Sequence, residues 1–145
     1  MFIRVVIRRR LLFMISSSNK WFNSEPQRAL DIRLRLFGEE HSSTAESYLL
    51  LGFTQHEQGD LSSALQSKQR ALDIRRKLFG EEHSSTAESY YLLGVTQLKR
   101  GDLSSALQSS QRALEIRRKL FGEEHLSTFD TRLKLQITQD AVDFK

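Results

Sequence analysis

Repetition constrains this chain more than any other feature. Arg28-Ala-Leu-Asp-Ile-Arg33 returns 42 residues later as Arg70–Arg75, and again after the same interval as Arg112-Ala-Leu-Glu-Ile-Arg117. Aligning residues 28–69 with 70–111 leaves eight differences, and a third copy begins at Arg112 and runs out near the C-terminus. Such a chain is an array of one supersecondary unit. No copy buries its apolar face alone, so the copies must stack.

Each unit reads as two helices. Ser43-Thr44-Ala45-Glu46 has the spacing of a capping box, repeated as Ser85-Thr86-Ala87-Glu88 and more weakly as Ser127-Thr128-Phe129-Asp130. Ala45, Tyr48, Leu49, Leu51 and Gly52 follow with a helical period. Gly59 supplies a left-handed stop and Asp60 caps the next helix. There Leu61, Ala64, Leu65, Ala71, Leu72 and Ile74 form the apolar stripe, and Gly80 ends it. The expected order is a helix over Gln27–Phe37, pairs 44–58 with 60–79 and 86–100 with 102–121, and a last helix near 128–140. Gly52, Ala64 and Ala71 are small because helices must approach closely there. The expected domains are a divergent segment 1–26, the array 27–140 and a tail 141–145.

These residues resemble the tetratricopeptide repeat. Tyr48-x-x-Leu51-Gly52 is similar to its opening motif, and Ala64 and Ala71 to its small residues on the second helix. The period, together with Phe-Gly-Glu-Glu-His, resembles the longer variant of kinesin light chains and nephrocystin-type proteins. The departures are Ser42, Ser84 and Leu126 where that variant carries Pro, and Leu49-Leu50 and Tyr91-Leu92 where kinesin light chains carry paired Asn. In the third copy Arg132 and Gln136 replace the Tyr and the Gly. The resemblance implies an all-α fold, a right-handed superhelix of antiparallel helix pairs whose first helices line a concave peptide-binding surface.

The eight differences fall in a pattern. Five of them (Leu49/Tyr91, Phe53/Val95, His56/Leu98, Glu57/Lys99 and Gln58/Arg100) lie on the first helix; the others are Leu34/Arg76, Arg35/Lys77 and Lys68/Ser110. Positions 49, 53, 56 and 57 share an arc of roughly 100°. Drift of solvated residues and a ligand-binding stripe account for this equally well. On the second account the groove comprises Glu46, Leu49, Phe53, His56, Glu57, Glu88, Tyr91, Val95, Leu98 and Lys99. Its aliphatic and aromatic members favour an apolar side chain, and the charges orient the peptide.

Other chemistry is poorly supported. No nucleophile elbow, glycine-rich phosphate loop or clustered carboxylate pair occurs, so we expect no enzyme and no cofactor. His41, His83 and His125 recur once per unit, and so do not converge on one metal ion; each is expected to bond backbone. Arg70, Asp73, Arg75, Arg76 and Lys77 are expected to form inter-repeat ion pairs on the convex surface. The net charge of +4 is local: residues 1–20 hold five basic groups and no acid, leaving the remainder nearly neutral and no footprint for nucleic acid. The absence of cysteine removes disulfides and thiolate sites and fits a reducing, cytoplasmic setting. In the N-terminal segment the longest apolar run, Leu11–Ile15, is far short of the roughly 20 residues of a membrane span.

Residues 1–26 lack the repeat signature. Their arginines and serines resemble a transit peptide in composition, but the arginines are scattered around a helical wheel. A divergent helix over the open end, or a piece of a longer protein, is the expectation. Two functions follow: a module that binds a partner protein or peptide in its groove, or a structural fragment that self-associates through its open ends.

Overall fold

The computed structural model describes residues 24–144. The expectations for residues 1–23 lie outside the described residues. Those described form six helices and no strand. Helix α1 covers 24–37, α2 Ser42–Glu57, α3 Leu61–Phe79, α4 Ser84–Arg100, α5 Leu103–Phe121 and α6 Leu126–Asp143. Short turns around Gly59 and Gly101 fold α2 back on α3 and α4 back on α5, while α3 packs on α4 and α5 on α6. The molecule is therefore a row of helical hairpins in chain order.

Small residues bring the helices together. Ala45, Ala64, Ala71, Ala87, Ala106 and Ala113 have no exposed surface, and Leu51, Leu72, Ile74, Leu93, Leu114 and Ile116 fill the space between them. Burying each of these larger side chains stabilises the fold by about 1.5–3 kcal/mol. Leu61 and Leu65, expected in the same stripe, are only half-buried. Buried hydroxyls accompany the apolar groups without competing with the helices. Thr44 donates to the Gly38 carbonyl and Thr86 to the Gly80 carbonyl, both at 2.8 Å. Thr96 and Thr138 each return a bond to the carbonyl four residues earlier.

The helix starts differ from the capping-box expectation. The caps are His41, His83 and His125, whose Nδ1 atoms accept from the backbone N–H of Ser43, Ser85 and Ser127. Helices α2 and α4 thus begin at Ser42 and Ser84, two residues before the predicted starts, with the candidate capping serines already inside the first turn. Each imidazole also stacks on the Phe four residues earlier, with centroids 4.4–4.6 Å apart. Asp60 does cap α3, accepting from the Ser63 N–H, whereas the Asp102 carboxylate pairs with Arg100 at 3.2 Å. Helix α1 already includes residues 24–26, and α6 continues to Asp143, taking in residues expected to form the divergent segment and the tail.

The second-helix charges divide into two groups. Arg70 and Lys77 pair with Glu39 and Glu40 of the preceding loop, and Arg76 with Glu81. Arg75 keeps the expected inter-repeat ion pair, with Glu88, but is buried and not on the surface. Its guanidinium donates to the Ser85 carbonyl, Ser89 Oγ and Glu88 at 2.9, 3.0 and 2.8 Å. Arg33 reaches the Ser43 carbonyl at 2.8 Å, and Arg117 the Ser127 carbonyl at 3.0 Å. The second Arg of each Arg-Ala-Leu-x-Ile-Arg motif therefore locks its helix to the first turn of the next unit.

Candidate functional site

Helices α2, α4 and α6 lie side by side on one face. His56 and Thr96 bridge α2 to α4, and α4 touches α6 directly. On the other face a cleft of about 620 Å³ separates α3 from α5 and is lined by Leu65, Gln69, Leu93, Gln97 and Ser105.

All ten residues expected in the groove lie on α2 and α4. Phe53 is 56% exposed, and Leu49, His56, Tyr91, Val95 and Leu98 are half-buried. Glu46, Glu57, Glu88 and Lys99 are exposed. Glu88 is drawn back by Arg75 at 2.8 Å, while Glu46 stands 3.7 Å from Arg33. These two carboxylates serve the inter-unit lock as well as the surface. Tyr91 is also engaged: the Arg117 guanidinium lies 4.9 Å from its ring centroid. Burial, helped by a hydrogen bond with Asp130, pushes its hydroxyl up to about 12.

The register continues onto α6, which the sequence reading left out of the groove. Leu133 and Ile137 occupy the positions of Leu49/Tyr91 and Phe53/Val95, and are 51% and 47% exposed. Asp130 stands where Glu46 and Glu88 stand in the other copies. One further 42-residue step was the signal that would have found them.

Between α2 and α4 the floor is polar. Lys68 of α3 is only 3% exposed and donates to Thr96 Oγ1 at 2.7 Å and to the Leu92 carbonyl at 3.4 Å. Nδ1 of His56 lies 2.9 Å from the same hydroxyl, and Lys99 Nζ donates to the His56 carbonyl at 3.3 Å. With Thr96 donating to the Leu92 carbonyl, its lone pairs accept from Lys68 and from an Nδ1–H tautomer of His56. Burial lowers the Lys68 amine to about 8; Glu57 opposes that shift and Lys99 adds to it. Burial and the neighbouring Lys68 and Lys99 hold the His56 imidazole below its ordinary value. Lys68 and Thr96 were missed because a lysine and a threonine in amphipathic helices read as solvated residues.

His41, His83 and His125 are spent on helix caps, and among the described residues no cluster of His, Asp or Glu could hold a metal ion. No helix among them is long and apolar enough to cross a membrane.

The profile of the tetratricopeptide repeat family matches residues 27–77 and 64–119. Comparison with curated proteins gives no match. Among solved structures, BtubC (BKLC) from P. vanneervenii superposes with a TM-score of 0.76 at 24% identity, over 81% of this chain and 47% of that one. A Podosopora anserina putative kinesin light chain with nearly identical TPR-like repeats gives 0.77 at 18% identity, over 97% of this chain and 64% of that one. The chain thus spans about half of the first structure and under two thirds of the second. Both likenesses are of fold, and both are to right-handed solenoids of helix pairs. With the profile covering most of the array, the chain belongs to the tetratricopeptide repeat family.

Proposed function

We propose that this chain is a non-catalytic interaction module whose first-helix face binds a peptide segment or a partner domain. The observation that carries the reading is the apolar ladder Leu49/Phe53, Tyr91/Val95 and Leu133/Ile137. It repeats in register on three adjacent helices and keeps part of its surface open. Packed helices lie about 8–10 Å apart and an extended chain rises about 3.3 Å per residue. Successive rungs therefore suit apolar side chains three residues apart in an extended ligand. The cytoplasm, expected from the absence of cysteine, is part of the same proposal.

The test is selection of a random displayed peptide library on the immobilised full chain. Binders are expected near micromolar affinity, about −8.2 kcal/mol. Phe53→Ala and Tyr91→Ala are each expected to weaken them by about 1–2 kcal/mol, read by calorimetry with folding checked by circular dichroism. Unchanged affinity in both variants would place the site elsewhere.

End-to-end self-association has one observation in its favour, the exposed Phe129 on α6 at a position that is buried in the earlier first helices. Against it, Phe129 and Gln136 stand where the earlier first helices have the Ala and Gly that admit a second helix. Light scattering over a concentration series is expected to show a monomer; growth in mass with concentration would favour association.

A further inference from the structure

Two of the eight differences between the full units meet in space. His56 on α2 and Lys68 on α3 both reach Thr96 of α4. The corresponding positions 98 and 110 hold Leu and Ser, so neither a ring nor a cation is directed at Thr138. Lys68 is buried with neutral oxygens as its hydrogen-bond partners, and no ion pair forms to it among the described residues. A buried cation without an ion-pair partner in contact is costly. The second hairpin, with Ser110 in the same place, shows that the unit packs without it. The nearest charges act in opposite senses: Lys99 of α4 repels Lys68 and Glu57 of α2 attracts it. Two cations, Lys68 and Lys99, against the one carboxylate of Glu57 leave the junction a local excess of positive charge.

We propose that Lys68, His56 and Lys99 form a carboxylate subsite at the junction of α2 and α4, which takes an Asp or Glu side chain of a peptide lying on the first-helix face. This rests on the groove reading. The incoming carboxylate accepts from the Lys99 ammonium at the surface and, by favouring protonation of the His56 ring, from its Nε2–H as well, while the Lys68 charge beneath them gains an opposing charge in addition to Glu57. Because the α4–α6 junction has Leu98 and Ser110 instead, the subsite exists at one junction only. It gives the groove a direction: acid over the α2–α4 junction, apolar side chain over Leu133 and Ile137, about four residues along an extended chain.

The next unit supplies the test variant, since His56→Leu with Lys68→Ser installs residues that the array already accommodates. The same random library is selected on the wild-type chain and on H56L/K68S, with folding checked by circular dichroism. Wild-type binders are expected to share an Asp or Glu about four positions from an apolar residue. Replacing that acid by its amide is expected to weaken binding to the wild type about tenfold, and to the variant about twofold or less. The NMR titration midpoint of the Lys68 amine should rise when the acidic peptide binds and stay put with the amide peptide; a lysine that only ties α3 to α4 would not respond. Binders without a shared acid, or an equal amide effect on both chains, would overturn the subsite and leave the groove standing. A library with no binders at all would overturn both.

Discussion

At Gly52 a methyl group would stand 2.9 Å from Lys68 Cγ, 3.2 Å from the Ala64 carbonyl oxygen and 3.3 Å from Ser67 Cβ. At Gly94 it would meet Ser110 Oγ at 3.1 Å and Ser109 Cβ at 3.3 Å. Alanine raises helix propensity by about 1 kcal/mol, and overpacking costs about 1–3 kcal/mol. Gly52→Ala is therefore expected to destabilise the chain, and by more than Gly94→Ala, in urea unfolding. Lys68 also leaves a mark on the pH profile. Its amine falls from 10.5 to about 8 on folding, so between those values the unfolded chain binds more protons and stability rises with pH. Below about 8 both states are protonated and the group contributes no slope. The stability of the wild type relative to Lys68→Met is expected to increase from pH 8 upward, as read by denaturation at a series of pH values. A flat difference would mean that the amine is not buried.

Each complete first helix starts on an imidazole held by a phenyl ring. The Phe-Gly-Glu-Glu-His run places Phe79 and His83 four residues apart, and Gly80 between them adopts φ 85° and ψ 177°, a region that glycine alone enters without strain. Stacking aims Nδ1 at the Ser85 N–H, which makes the histidine the cap. Ser85-Thr86-Ala87-Glu88 had the right spacing for a capping box, yet Thr86 turns back to the Gly80 carbonyl and Glu88 goes to Arg75. His83→Ala is expected to cost about 1 kcal/mol, as loss of an N-cap does, and His83→Asn to recover much of it. Equal losses in the two variants would assign the effect to ring stacking instead. The second helices were more legible, because Asp60 and Gly80 both stand where the structure begins and ends α3.

Across the whole molecule, stability is shared between neighbours. Helix α4 is packed by both α3 and α5, whereas α6 has α5 on one side and an open apolar face beyond it. In such arrays each unit is stabilised by its own hairpin and by the next, so the ends open first. Hydrogen exchange is expected to be slowest in α3 and α4 and faster in α6; uniform protection would argue that α6 is covered. The Arg33, Arg75 and Arg117 locks carry the coupling between units. Glu81 adds a second link by accepting from Tyr90, Arg112 and Arg76. These bonds outweigh its burial and hold its carboxyl below the ordinary range. Exposed pairs such as Lys77–Glu40 and Lys119–Glu82 add little to this.

Period, apolar spacing and glycine punctuation determined the hairpins, their order and the face on which the units differ, because each is a local property repeated in register. The position of Lys68 under His56, the withdrawal of Glu88 to Arg75 and the pairing of Tyr91 with Asp130 were decided only in three dimensions. Each joins residues from different helices. A side chain's charge and size are written in the sequence, but whether it meets water, a carbonyl or another charge depends on the helix that comes to lie beside it.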